Sequence, residues 1–248
     1  VLLAVLTIIG LFPGAMIYAY AGGKQKKLSI RYTPGVLSEA MDRLEKYEPY
    51  GSVDQKYMWE DFQFGRRDRI GTCADYVKGV IRGMPVEFCE FEIQCESTTT
   101  DSNGKRKKEI DTTFTGLMAL CRHGFNIPNN VTMTQFSRYF RELKTESVEF
   151  TRAWSIKEDS GLAAFIMLAP QYMEGLMATI REKGMRMGLQ FRTDGVLVIV
   201  LQGANFFEVD EAEKAEELKE KIRKEIKDIG DIMENVGALT ETEIEAVR

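Results

Sequence analysis

The sequence predicts an α+β fold: a largely antiparallel sheet with packed helices, an N-terminal transmembrane helix and a long C-terminal amphipathic helix. Three observations carry that prediction. Residues 1–21 contain no charged side chain. Residues 86–96 alternate between apolar and polar, the period-two mark of a strand with one dry and one wet face. Near the C-terminus, Ala215, Leu218, Ile222, Ile226, Ile229 and Met233 recur at helical spacing within a charged run.

The opening stretch is strongly apolar through Leu2, Leu3, Val5, Leu6, Ile8, Ile9, Leu11, Phe12, Met16 and Ile17. About 20 such residues cross a bilayer as a helix, and the kink expected at Pro13-Gly14 is tolerated there. Tyr18 and Tyr20 fall where an interfacial aromatic belt belongs. Lys24, Lys26, Lys27 and Arg31 follow, and positive charge just past a span marks the cytoplasmic side. The expectation is a single pass through the cell membrane, with Tyr18, Tyr20, Lys24, Lys26 and Lys27 at the lipid interface and the body in the cytoplasm. Two other readings fit the apolarity. Ala19-Tyr20-Ala21 has the small-x-small pattern of a signal cleavage site, and a buried core helix is also uncharged. The lysines directly after the segment disfavour export.

Composition bounds the rest. The chain has 248 residues, 44% hydrophobic and 29% charged, with a net charge of -5. That is globular and not disordered. Residues 208–248 carry 14 acidic and 7 basic side chains. An acidic tail argues against a nucleic-acid partner, which needs a concentrated basic face. The short run Lys105-Arg106-Lys107-Lys108 reads as a solvated loop. Cys73, Cys89, Cys95 and Cys121 form no Cys-x-x-Cys pair and read as reduced, mostly buried thiols. Three segments result: residues 1–23 as membrane helix and juxtamembrane turn, 24–208 as the α+β body, and 209–248 as an acidic helical tail.

Along the body, residues 28–32 read as a short strand, Thr33-Pro34-Gly35 as a turn, and residues 36–47 as a short helix. Residues 48–72 look irregular, with Trp59, Phe62 and Phe64 as packing anchors. Residues 76–82, 86–96 and 111–121 then form an antiparallel meander. Gly83-Met84-Pro85 makes its first turn and a polar loop over 97–108 its second. Phe136, Phe140 and Leu143 favour a short helix, and residues 148–156 resemble a strand. Pro170 opens a helix that Gly184 closes. Met187, Leu189 and Phe191 alternate as a strand, Asp194-Gly195 turns the chain as a two-residue hairpin, and residues 196–201 read as a central strand. Asp210-x-x-Glu213 has capping-box form, ahead of a helix running to about Asn235. Residues 236–248 read as a loose end.

Candidate chemistry is sparse. Cys121-Arg122-His123, with Cys89 and Cys95 on a neighbouring strand, could supply zinc ligands, but the spacings are not those of structural sites. His123 is the only histidine, so any Cys-His or Ser-His nucleophile pair must use it. Glu87, Glu90, Glu92 and Glu96 cluster on one strand, where a solvated face explains them better than acid–base work. No phosphate loop, dinucleotide fingerprint or zincin helix is present. The expectation is no cofactor and no metal.

The order of elements resembles the DUF3137 family of bacterial and archaeal membrane-anchored proteins. The resemblance covers residues 24–209. It rests on the basic-flanked apolar helix, the meander from Tyr76 to Phe88 and Thr113-Phe114-Thr115-Gly116-Leu117. Leu168-Ala169-Pro170 opening a helix, the strands around Asp194-Gly195, and Phe206-Phe207-Glu208 complete it. It implies a fold and no established activity. It also implies an association with LemA-type membrane proteins. Members often carry two membrane helices before the domain, and this sequence has one.

Function is therefore expected to be interaction or scaffolding at a membrane, not catalysis. The C-terminal stripe of Leu218, Ile222, Ile226 and Ile229 packs on its own domain, docks a second chain (a protein partner or another copy), or frays in solvent. The runner-up is a ligand or lipid sensor with a pocket near Met173, Leu176 and Met177. A hydrolase using Cys121 or His123 comes third.

Overall fold

The alternation read over residues 86–96 continues past both ends of that window, and the strand built on it anchors the sheet. The computed structural model describes residues 33–54, 56–59, 68–100, 106–136, 142–157, 161–203 and 215–247. In chain order the elements are α1 (residues 33–40), β1 (Arg43–Glu48), α2 (Lys56–Trp59), β2 (Asp68–Ile81), β3 (Met84–Thr100), β4 (Arg106–Arg122), β5 (Val131–Thr134), β6 (Glu142–Leu143), α3 (Val148–Ala153), β7 (Ser155–Lys157), α4 (Gly161–Met167), α5 (Pro170–Lys183), β8 (Arg186–Phe191), β9 (Val196–Gln202), α6 (Ala215–Asn235) and α7 (Glu241–Val247). The fold is α+β. The strands form one antiparallel sheet in the order β1-β2-β3-β4-β9-β8-β5-β7-β6.

The sheet is dry on both faces at its centre. One face carries Val77, Phe88, Leu117, Leu189 and Ile199, and meets Leu37 of α1, Leu176 of α5 and Ile222, Ile226 and Met233 of α6 in a single core. The opposite face carries Tyr76, Cys89, Phe91, Phe114, Met118, Val198 and Val200, with Val53 from the β1–α2 connection packed on them. Two strands cross closely at Gly116. A Cβ there would lie 2.1 Å from the Leu201 carbonyl oxygen, so only glycine allows β4 and β9 to pair at this register.

Several local readings are corrected. Residues 33–40 are helical where a turn was expected, because Pro34 suits a first helical turn as well as it suits a turn. The helix expected over 36–47 stops early, and residues 43–48 pair with β2 as the edge strand β1. The β2–β3 turn is Arg82-Gly83, both at positive φ (51° and 74°), so Met84 and Pro85 belong to β3. The polar loop of 97–108 is largely strand: Thr98, Thr99 and Thr100 pair with Lys108, Lys107 and Arg106. Residues 148–153 are helix, not strand. The Ser147 hydroxyl caps α3 by accepting the Phe150 N–H at 3.2 Å, and this cap outweighs the strand preference of Val148 and Phe150. Leu143 lies on the short strand β6 rather than on a helix. The β8–β9 loop is one residue longer than expected, since Arg192 and Val196 close it.

The end of the chain is not loose. Val236 is fully buried, Ala238 bridges to His123, and the Leu239 N–H donates to the Arg122 carbonyl at 2.8 Å. Thr240 and Glu243 then form a reciprocal capping box for α7: Thr240 N–H to Glu243 at 2.8 Å and Glu243 N–H to Thr240 Oγ1 at 3.3 Å. The α5 helix matches its reading, from Pro170 to the left-handed Gly184. The composition change at residue 208 does not divide the core, because α6 packs with the strands that precede it. The expected strand at 28–32, the anchors Phe62 and Phe64 and the capping box at 210–213 lie outside the described residues. So does the apolar segment 1–21. No helix among the described residues is long and apolar enough to cross a membrane.

Candidate functional site

Cys121 and His123 end β4 on the face turned toward the helices. His123 is 5% exposed. Its Nδ1 accepts the Phe125 N–H at 3.2 Å, which leaves the proton on Nε2, and Nε2 donates to the Arg192 carbonyl at 2.9 Å. The ring packs edge-on to Phe191 and beside Phe125. Burial pushes its pKa below the ordinary value. Burial also pushes the Cys121 thiol up to about 12, and its Sγ faces the Leu197 carbonyl. A nucleophile needs a base with a nitrogen open to its proton. Here both nitrogens are engaged by backbone, and the histidine fastens the β4 end to the β8–β9 turn.

Glu87, Glu92 and Glu96 of β3 are each engaged by a neighbouring side chain. Glu87 shares the Cys89 face, takes the Lys78 ammonium at 2.9 Å and accepts the Tyr76 hydroxyl at 3.0 Å. Glu92 accepts the Thr72 hydroxyl at 3.2 Å, and Glu96 pairs with Lys108. Around Glu87 lies a groove of about 360 Å³ bordered by Glu45, Asp54, Tyr57, Lys78, Arg122 and Val196. Lys56 holds Asp54 at 2.9 Å, and the Arg122 guanidinium donates to the Asp194 carbonyl at 2.8 Å. The Arg192 guanidinium lies over the Tyr57 ring at 5.1 Å. These charges are matched locally, which suits a polar surface groove better than acid–base chemistry. Among the described residues, no group of three or more His, Cys, Asp or Glu is placed to hold a metal ion.

The stripe on α6 lies inside the molecule. Ile222, Ile226 and Ile229 are 0%, 1% and 2% exposed and belong to the core. Of the three alternatives open to this helix, packing on its own domain is the one observed, and these three side chains are buried in it. The side chain of Leu218 lies outside the described residues, as do Tyr18, Tyr20, Lys24, Lys26 and Lys27. Met173 and Leu176 are buried and Met177 is half-buried. A cavity of about 230 Å³ does border Met173 and Met177, with Ser147, Glu149, Glu174 and Arg181 around it. That falls below the roughly 300–1,000 Å³ usual for small-molecule pockets.

The feature that sequence reasoning missed is α4. This helix buries Ala163, Ala164 and Met167 and leaves Leu162, Phe165 and Ile166 at 68%, 56% and 58% exposure. Apart from Met167, small side chains face in and large ones face out, the reverse of an ordinary amphipathic helix. Val148 on α3, 65% exposed, adjoins the Ser147 and Glu149 that border the smaller cavity. The signal was present as adjacent alanines inside an apolar run. Without tertiary context, that run reads as core on every side.

A family model described as "Protein of unknown function (DUF3137)" matches residues 107–238. The match begins in β4 and ends at Ala238, the residue that bridges to His123. No curated protein and no solved structure matches the chain.

Proposed function

We propose, from the premise that this chain belongs to the DUF3137 family of proteins of unknown function, that it is a membrane-tethered interaction domain docking a protein partner through α4. One observation carries the reading: Leu162, Phe165 and Ile166 stand exposed together on a helix that buries Ala163, Ala164 and Met167 on its other side. Scattered exposed apolar residues are ordinary, but a contiguous cluster marks a contact surface. Covering the exposed part of each side chain yields about 1–2 kcal/mol, and an aromatic at the centre is the usual anchor of an interface. The uncharged residues 1–21 and the lysines after them support tethering, with the body on the cytoplasmic side. The family resemblance makes a LemA-type membrane protein the first partner to test.

The small cavity beside Met173 and Met177 keeps a lipid- or ligand-sensing role as the second reading, weakened by its volume. The test uses the full chain. Membrane fractionation should leave the wild type in the pellet after a high-salt wash, and a chain starting at Lys24 in the supernatant. Co-purification with the LemA-type protein should be lost on Leu162→Ser with Phe165→Ser, while the melting temperature holds. Both forms remaining soluble would end the tethering claim. Undiminished co-purification by the double variant would end the docking claim.

A further inference from the structure

Two cysteines on the sheet face away from α6 belong to one packed cluster. Cys73 on β2 pairs in register with Phe91 on β3, and Cys89 lies two residues from Phe91 on the same face. Such diagonal neighbours are ordinarily about 7–8 Å apart. Here the register shifts between Ala74 and Val77, and Asp75 takes a left-handed backbone, φ 53°. This bulge bends β2 beside the pair. It is pinned by the Tyr47 hydroxyl, which donates to Asp75 Oδ1 at 2.5 Å, and by the Asp75 N–H, which donates to the Pro49 carbonyl at 3.1 Å.

The partners differ in surroundings. Cys73 is half-buried and Cys89 is buried. The neighbouring Cys89 lowers the Cys73 pKa. Cys73, followed by burial, raises that of Cys89. The Cys89 sulfur also accepts the Val53 N–H at 3.5 Å, tying the β1–α2 connection to the sheet. Cys121 lies on the opposite face, its thiol pushed up to about 12 by burial.

We propose that Cys73 and Cys89 form a peroxide-reactive dithiol site, Cys73 as the attacking sulfur and Cys89 as the resolving one. The accessible, thiolate-prone cysteine next to a shielded thiol is the arrangement that a hydroperoxide oxidises selectively. The Cys73 thiolate attacks the terminal oxygen of a hydroperoxide. The O–O bond breaks, and the alkoxide or hydroxide leaves and takes a proton, giving an alcohol or water and Cys73 sulfenic acid. Cys89 then attacks the Cys73 sulfur. The S–O bond breaks, the hydroxide leaves with the Cys89 proton as water, and the disulfide forms. Two thiols are oxidised and one peroxide is reduced. The bond engages the sulfur that holds Val53, so oxidation acts on the connection that carries Asp54 and leads to Tyr57 at the rim of the larger groove.

The test treats the full wild-type chain with hydrogen peroxide, blocks remaining thiols and digests it after Lys, Arg and Glu. Cleavage at Lys78, Arg82 and Glu90 separates Cys73, Cys89 and Cys95. The expected dominant oxidised product is a Cys73–Cys89 linked peptide that dithiothreitol reverses. Cys89→Ser should stop the reaction at sulfenic acid, raising the dimedone adduct on Cys73 about tenfold over wild type. Unreacted thiols, sulfinic acid on Cys73 without linkage, or a wild-type link through Cys95 or Cys121 would each overturn the assignment. These outcomes are read on the unmutated protein, so a misfolded variant cannot imitate them.

Discussion

Lys183→Met tests the joint that fixes α5 against α6. The ammonium lies 2.7 Å from an Asp228 oxygen and 2.7 Å from an Asp231 oxygen, and the lysine side chain is 8% exposed. The carboxylates are 18% and 22% exposed, and Asp231 also meets Arg82. Burial alone lowers the Lys183 pKa, but the hydrogen bonds to Asp228 and Asp231 outweigh it and the net shift is upward. Methionine keeps the apolar stem and removes only the charge and its donors. A hydrogen bond to a charged group contributes about 1.5–3 kcal/mol. Asp231 retains Arg82 and water reaches both carboxylates, so the lower values apply and the loss is about 3 kcal/mol. That is the foot of the range of about 3–5 kcal/mol for breaking a buried pair. Each kcal/mol lowers the melting temperature of a chain this size by about 2–4 °C, giving a drop of about 6–12 °C. Thermal and urea unfolding at neutral pH measure it. Adding Asp228→Asn and Asp231→Asn to the variant should restore more than half of the loss, since no unpaired carboxylate then remains. A loss for Lys183→Met below about 1 kcal/mol, the value of an exposed pair, would refute the reasoning. The same joint predicts acid sensitivity. The Lys183 hydrogen bond holds the Asp231 carboxyl below its ordinary value, so its contribution is present above the ordinary carboxylate range and is lost as pH falls through the folded value.

Three other perturbations separate structural from functional roles. The folded pKa of His123 lies below the ordinary 6.5, so on acidification the unfolded chain takes the proton first; stability is full above about pH 6.5 and falls as pH drops toward the folded value. His123→Gln should flatten that slope in urea melts taken from pH 7.5 to 5, and an unchanged slope would show that His123 is not its source. Gly116→Ala should destabilise by about 3 kcal/mol or more, because the new methyl meets the Leu201 backbone oxygen, which cannot rotate away; a near-neutral melt would mean that β4 and β9 are not so closely paired. Ile226→Ala should lose about 2–5 kcal/mol as a core truncation. A variant that melts like the wild type would instead place this side chain at the surface.

The repeating patterns of this protein could be read from the residues alone. The strand around Cys89, Phe91 and Ile93, the helix from Pro170 to Gly184 and the charged helix ending at Asn235 each announce their class through period and punctuation, because a helix or a strand repeats the same local geometry at every turn. Short elements were misread where one local contact outweighed composition, as the Ser147 cap did for α3. The Thr240–Glu243 capping box was legible as Thr-x-x-Glu but lay in a stretch read as tail. What the sequence could not settle is which apolar faces are covered. The isoleucines of α6 and the leucine and phenylalanine of α4 are equally apolar, yet the first pack against Phe88 and Leu117 while the second stand in solvent. Hydrophobicity fixes how strongly a side chain leaves water. Only the arrangement of the other elements determines whether anything is there to receive it. The placement of Cys73 beside Cys89 depends in the same way on a bulge at Asp75 that no periodicity encodes.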